Sequence, residues 1–214
     1  MNITVFGANG RVGQRVVGRA LDRGHHVRAF VHSRDPFEPH GRLSVSAGDV
    51  ADAGAVQGAV TGADAVVSTL GAFRRGTGPV LAPGLQAITQ AMRQHGSSRL
   101  VTLTGAGVTR PGRRNGARAH LNRFVLTLMD RTAVVDSEKA LEILGATDLA
   151  WTTVCAPTIS TDGPDGYELI PTMPSLLAKI SGPAVAASLV VLAEGPATAD
   201  SVVGIRHAPG DATT

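Results

Sequence analysis

The stretch that most constrains the fold is "NITVFGANGRVGQRVVGRALDRG", residues 2–24. Ile3 to Phe6 form a mostly apolar run of strand length, Gly7, Gly10 and Gly13 follow at three-residue intervals, and Val12, Val16, Val17, Ala20 and Leu21 recur at helical spacing until Gly24. A strand that passes through glycines directly into a helix is the opening half of a βαβ unit. That unit commits the strands to a parallel sheet with helices on its faces.

The rest of the chain repeats this punctuation. "HVRAFV" is the second predicted strand, "RLSVSAGDV" contains a short third, "ADAVVSTLG" is the fourth after the helix "DAGAVQGAV", and "SRLVTLTG" is the fifth after the helix "VLAPGLQAITQAMRQHG". Helices are expected at about 119–130 and 134–145, then a sixth strand in "LAWTTVCAP", a helix in "GPAVAASLVVLAEGP" and an edge strand in "SVVGIRH". Such continuously apolar strands suit a sheet buried on both faces. No repeat or low-complexity linker divides the chain. The expectation is one α/β domain over residues 1–214, a doubly wound parallel sheet with a small substrate-side region toward the C-terminus. Gly- and Pro-rich loops at about 73–84, 107–123 and 157–181 would carry that side.

Composition narrows the partners. The 214 residues are 43% hydrophobic, ample for one core, and the net charge of +3 comes from 18 arginines and only 2 lysines. Aromatic residues make up 3%, too few for the stacking platforms of a nucleic-acid binder, so anionic small molecules suit the charge better. No run approaches about 18 uninterrupted apolar residues, and the start "MNITVFGANG" lacks a charged leader. The expectation is a cytoplasmic chain, monomer or homodimer, with no membrane or nucleic-acid partner. The single Cys155 excludes an intramolecular disulfide and sits in an apolar strand, and His120 has no second ligand at convincing spacing, so no metal is expected.

The glycines admit two readings, a tight strand–helix turn or a pyrophosphate cradle in which helix-end amides meet an anion unobstructed by side chains. Within a βαβ unit the second is favoured. "GANGRVG" with "GDV", "VVSTLG" and "VTLTGAG" resembles the short-chain dehydrogenase/reductase superfamily, and most of all its atypical, NmrA-like branch, which includes flavin and biliverdin reductases. "GHHVRAFVHSRDP" is similar to that family's second strand and cofactor-selecting loop, and "EKALEILGATDLAWTTVCAPTI" to its helix, sixth strand and proline turn.

The resemblance implies a Rossmann-type fold and an NAD(P) site. Gly7, Asn9, Gly10, Arg11, Val12 and Gly13 would hold the pyrophosphate. In "VHSRDP" no acid follows the strand to grip the ribose hydroxyls of NAD, and His32 stands where NADPH users often place arginine. Ser33, Arg34 and Arg11 are therefore left to meet a 2′-phosphate, and NADP is expected, with NAD the alternative. Asp49 and Val50 resemble the adenine side, although Asp49 could equally cap the helix that follows. Leu70, Gly71 and Ala72 after strand four, and Thr104, Gly105 and Ala106 after strand five, should lie beside the cofactor at the strand ends. Thr104 is the best candidate hydroxyl near the nicotinamide, with a purely structural strand threonine as the alternative. Lys139 would reach the cofactor or remain an exposed helix lysine. Pro157, Thr158 and Ile159 resemble the turn lining the nicotinamide face, with Tyr167 placed to close it.

The superfamily's Tyr-x-x-x-Lys proton-transfer pair is missing: Val135 stands four residues before Lys139, and Tyr167 is the only tyrosine. Asp136 and Glu138 are expected as first-turn acids of their helix. Conjugated acceptors can dispense with a strong proton donor, which implies an NADPH-dependent reductase of a flavin, quinone or similar small molecule. The alternative is a non-catalytic dinucleotide sensor of the NmrA-like type.

Overall fold

The apolar runs assemble into one eight-stranded sheet. In a computed structural model, which describes residues 1–71, 78–97, 99–106, 108, 116–196 and 201–210, the chain opens with β1 (Asn2–Phe6), α1 (Arg11–Asp22), β2 (His26–Val31), β3 (Leu43–Ala47) and α2 (Ala53–Val60). It continues through β4 (Ala65–Ser68), α3 (Leu81–His95), β5 (Arg99–Gly105), α4 (Ala117–Met129), α5 (Arg131–Gly145) and β6 (Ala150–Ala156). The last part holds β7 (Thr158–Ser160), β8 (Tyr167–Ile170), β9 (Lys179–Ser181), α6 (Gly182–Glu194) and β10 (Ser201–His207). Sheet order is β3-β2-β1-β4-β5-β6-β10-β8, parallel throughout except for β8, and β7 pairs with β9 separately. Strand order reverses between β1 and β4, the switch point outside which such sheets bind ligands.

Alternation along each strand explains the continuous apolar runs. Val66 and Leu100 face a core with α2, α3 and α5, whereas Val67 and Val101 face another with α1 and α6. Both faces are covered, so both parities of the strands are mostly apolar. Each fully buried valine or leucine contributes about 1.5–3 kcal/mol relative to exposure, and a one-residue slip of register would exchange the two sets. Cys155 is buried in the first core, as expected.

Three expectations are corrected. The strand 201–207 is not at an edge: β10 lies between β6 and the antiparallel β8, whose "YELI" is four half-buried residues hidden in a Gly- and Pro-rich stretch. The stretch 157–181, expected as loop, also carries the β7–β9 pair. The helix expected from 134 begins at Arg131, because the Asp130 carboxylate accepts from the Ala133 amide and caps it three residues earlier. Among the described residues no helix is long and apolar enough to cross a membrane.

Candidate functional site

The glycine turn is shaped by contacts within itself. Gly7 has φ +71°, a backbone conformation that a side chain strains, and the Gly10 amide donates to its carbonyl at 3.0 Å. A Cβ on Gly13 would overlap the Gly7 carbonyl oxygen and the Ala8 Cα, so this glycine lets α1 pack onto the end of β1. Gly10 is different. It is the N-cap of α1 at φ −72° and ψ 162°, which any residue adopts, and a Cβ there would stand 3.2 Å from the Gly7 carbonyl oxygen. No side chain caps this helix and no acid occupies its first turn. The Arg11, Val12 and Gly13 amides have no acceptor among the described residues, while Gln14 already bonds the Gly10 carbonyl at 2.9 Å. An uncapped helix end that carries partial positive charge fits a pyrophosphate.

Neighbouring strands hold this turn in place. Ala8 donates to the Phe30 carbonyl at 3.2 Å, and Thr69 clasps β1 through its amide to Phe6 and its hydroxyl to the Phe6 and Gly7 carbonyls at 3.0 and 3.1 Å. The sequence reading passed over Thr69, whose only signal is a hydroxyl at the end of an apolar strand. After β2, His32, Ser33 and Arg34 are exposed, and Arg34 and Arg11 have no ion-pair partner among the described residues. His32 Nδ1 lies 3.9 Å from an Asp49 carboxylate oxygen. Asp49 does not cap α2: it accepts from Ala51, and Asp52 receives the Gly54 and Ala55 amides. That leaves Asp49 exposed at the end of β3. Val50 and Leu70 are half-buried together against α3, where Gly84 leaves room for the Leu70 methyl group.

Farther along the same edge, Gly71 is exposed and open, and Ala72 lies outside the described residues. Thr104 Oγ1 is buried without a hydrogen-bond partner among the described residues. Beneath it Ser68, Thr102 and Thr153 stand in one register row across β4, β5 and β6, their hydroxyls likewise buried and unpartnered. Such hydroxyls normally have partners, and Thr104 is the one nearest the strand end. Gly105 follows it and pairs in register with Ala156, which precedes Pro157, Thr158 and Ile159. Pro157 is buried, Thr158 exposed, and Ile159 packs on the α1–α6 side. The strand-end candidates thus share one edge of the sheet with the uncapped helix.

Several other candidates fall elsewhere. Tyr167 is half-buried and packs, like Ile159, on the α1–α6 core. Burial pushes its phenol up, Arg23 and then Arg19 pull it down, and Glu194 raises it again. Asp136 and Glu138 are not first-turn acids. The buried Asp136 carboxylate accepts the Val80, Leu81 and Ala82 amides at 2.8–2.9 Å and caps α3, while Glu138 pairs with Arg123 at 2.7 Å. Lys139 is exposed and lines a cleft of about 770 Å³ with Pro79, Pro83, Arg131 and Val135, and this cleft includes none of the glycine turn. Asn122, unmarked in the sequence, is buried and donates to the Ala106 and Pro174 carbonyls, both at 2.9 Å. It ties α4 to the end of β5.

Known proteins agree with this architecture. The profile described as NAD(P)H-binding matches residues 7–196. A short-chain dehydrogenase/reductase from Veillonella parvula, solved in complex with NADP, is 19% identical over 98% of this chain and 95% of its own, with a TM-score of 0.76. An anaerobillin reductase from Escherichia coli is 20% identical over 97% of each chain, with a TM-score of 0.75. In sequence, a 3 beta-hydroxysteroid dehydrogenase/Delta 5-->4-isomerase from Mycobacterium tuberculosis is 31% identical over 125 residues, 58% of this chain and 30% of that protein. The aligned part is therefore under a third of that relative's length.

Proposed function

This chain belongs to the NAD(P)H-binding family, and on that premise we propose that it is an NADPH-dependent reductase of a flavin, quinone or similar conjugated acceptor. The uncapped N-terminus of α1, opening at the switch point of the sheet, is the observation that carries the reading. In this reading the Arg11, Val12 and Gly13 amides bind the pyrophosphate, with Gly7, Asn9 and Gly10 shaping the turn. Ser33 and Arg34, with His32 beside them, face the ribose 2′-phosphate, and Asp49 and Val50 flank the adenine. Leu70, Gly71, Thr104, Gly105 and Pro157–Ile159 surround the nicotinamide. Lys139, which lines a cleft along α3 and α5, is taken in this reading as the exposed helix lysine.

NADPH, when bound, supplies a hydride. The chain's own task is then to orient the acceptor over the strand ends and exclude water, and orientation alone contributes roughly 7–11 kcal/mol in favourable cases. The Thr104 hydroxyl, which has no partner among the described residues, is left to donate to the ligand. With Val135 in place of the proton-donating tyrosine and the Tyr167 phenol raised above its ordinary value by burial, no side chain among the described residues is positioned as a strong acid, so an acceptor that takes its final proton from water fits best.

Steady-state NADPH oxidation with flavin and with quinone is the test. Turnover should survive Tyr167→Phe unchanged and fall no more than about tenfold in Thr104→Val, the loss of one hydrogen bond. NADPH should bind more tightly than NADH, and Arg34→Ala should narrow that gap by about tenfold or more. Tight dinucleotide binding without turnover on either acceptor would replace the reductase with a sensor.

A further inference from the structure

Helix α4 turns its largest apolar side chains outward. Leu121, Phe124, Val125, Leu128 and Met129 are exposed, Phe124 by 63% and Leu128 by 74%, while its inward face carries the small Ala119 and the polar Asn122. Of nine large apolar side chains that the described residues expose, six lie between 121 and 135, so this is one patch and not the ordinary scatter of a surface. Positions 121, 124, 125 and 128 fall on one helical face.

The next helix, α5, carries exposed cations. Arg131, Val135 and Lys139 recur every four residues and line one cleft, and neither cation has an ion-pair partner among the described residues. The acids around them are committed: Asp130 caps α5, Asp136 caps α3 and Glu138 holds Arg123. Glu142, farther along α5, bounds the basic face.

We propose that α4 and the Arg131–Val135–Lys139 face of α5 dock this protein on an anionic lipid bilayer, with Phe124 and Leu128 entering the headgroup boundary. An exposed apolar helix face with cations and engaged acids around it has the character of a helix lying in the interface. A second copy fits less well, since a two-fold contact would gather both copies' Arg131 and Lys139 into one interface. The absence of a spanning segment led to an expectation of no membrane partner, but a helix lying in the interface needs no spanning length.

The experiment is flotation of the full chain with vesicles of equal parts phosphatidylcholine and phosphatidylglycerol, compared with vesicles of phosphatidylcholine alone. The wild type should partition about tenfold or more in favour of the anionic vesicles and lose that preference as salt rises. The double substitution Phe124→Ser with Leu128→Ser, at two exposed positions, should keep the circular dichroism of the wild type and lose roughly tenfold or more in partitioning. Equal binding to both vesicle types, no binding to either, or partitioning unchanged in the variant would overturn the proposal. So would a wild-type dimer in sedimentation velocity that the variant dissolves. No readout depends on NADPH, so a failure here leaves the reductase reading untouched.

Discussion

At the end of β1 the chain makes its turn with residues that lie within seven positions, Gly7 to Gly13, whereas at the end of β5 the backbone is held by Asn122 from α4, which also holds Pro174 some fifty residues away. The first turn takes its shape from its own glycines and is uncapped, with Phe30 and Thr69 bonding only to its start; the second is tethered by side-chain bonds from another helix. α3 resembles the second case, its N-terminus capped by Asp136 of α5. One sheet edge therefore joins an anion cradle shaped mainly by its own glycines to a half whose shape depends on distant side chains. The two halves should fail differently.

The largest expected effect is on the local half. Gly13→Val would drive a side chain into the Gly7 carbonyl and the Ala8 backbone, where nothing flexible can yield. Denaturant titration should show a loss of about 3 kcal/mol or more, with α1 detached from the sheet. Near-wild-type stability would mean that the turn is not self-packed.

Next comes the tethered half. Asp136→Ala strips three amides of their acceptor, two of them in buried bonds, and should cost about 2 kcal/mol or more. NADPH affinity should fall less than in any disruption of the glycine turn. A variant that is stable but has lost its affinity would break the proposed division of labour.

The smallest effect tests the packing that both halves share. Hydrogen bonds from Arg23, and then from His25, hold the Glu194 carboxyl below its ordinary value against the opposing effect of burial. A carboxyl depressed in the folded state stabilises above its unfolded value and loses that stabilisation as pH falls through the folded one. Melting curves of Glu194→Gln should therefore fall below wild type at neutral pH and converge with it as pH drops below the carboxylate range. A gap independent of pH would show that the pair contributes through packing alone.

The same division explains what could be read from residues alone. β1, β2 and α1 stand where their apolar periodicity and glycines put them, because each signal lies within a dozen residues. β8 was missed because four half-buried residues have no period of their own and pair only with β10. Asp136 looked like a helix-end acid because sequence distance does not show α3 above it, and Asn122 carries no mark in sequence because its two carbonyl partners come from other segments. Thr104 was singled out, but the hydroxyl row beneath it shows only once the strands are in register.

The central claim is that the α1 N-terminus receives a dinucleotide pyrophosphate, and Gly10 tests it most directly, since its backbone is one that any residue adopts and its nearest internal neighbour would need to yield only slightly. Titration calorimetry of NADPH into the wild type and Gly10→Leu, with melting curves of both, separates fold from ligand. The account predicts a folded variant whose affinity is lower by about 100-fold or more, the loss of two amide–anion hydrogen bonds. A folded Gly10→Leu that binds NADPH as the wild type does would contradict it.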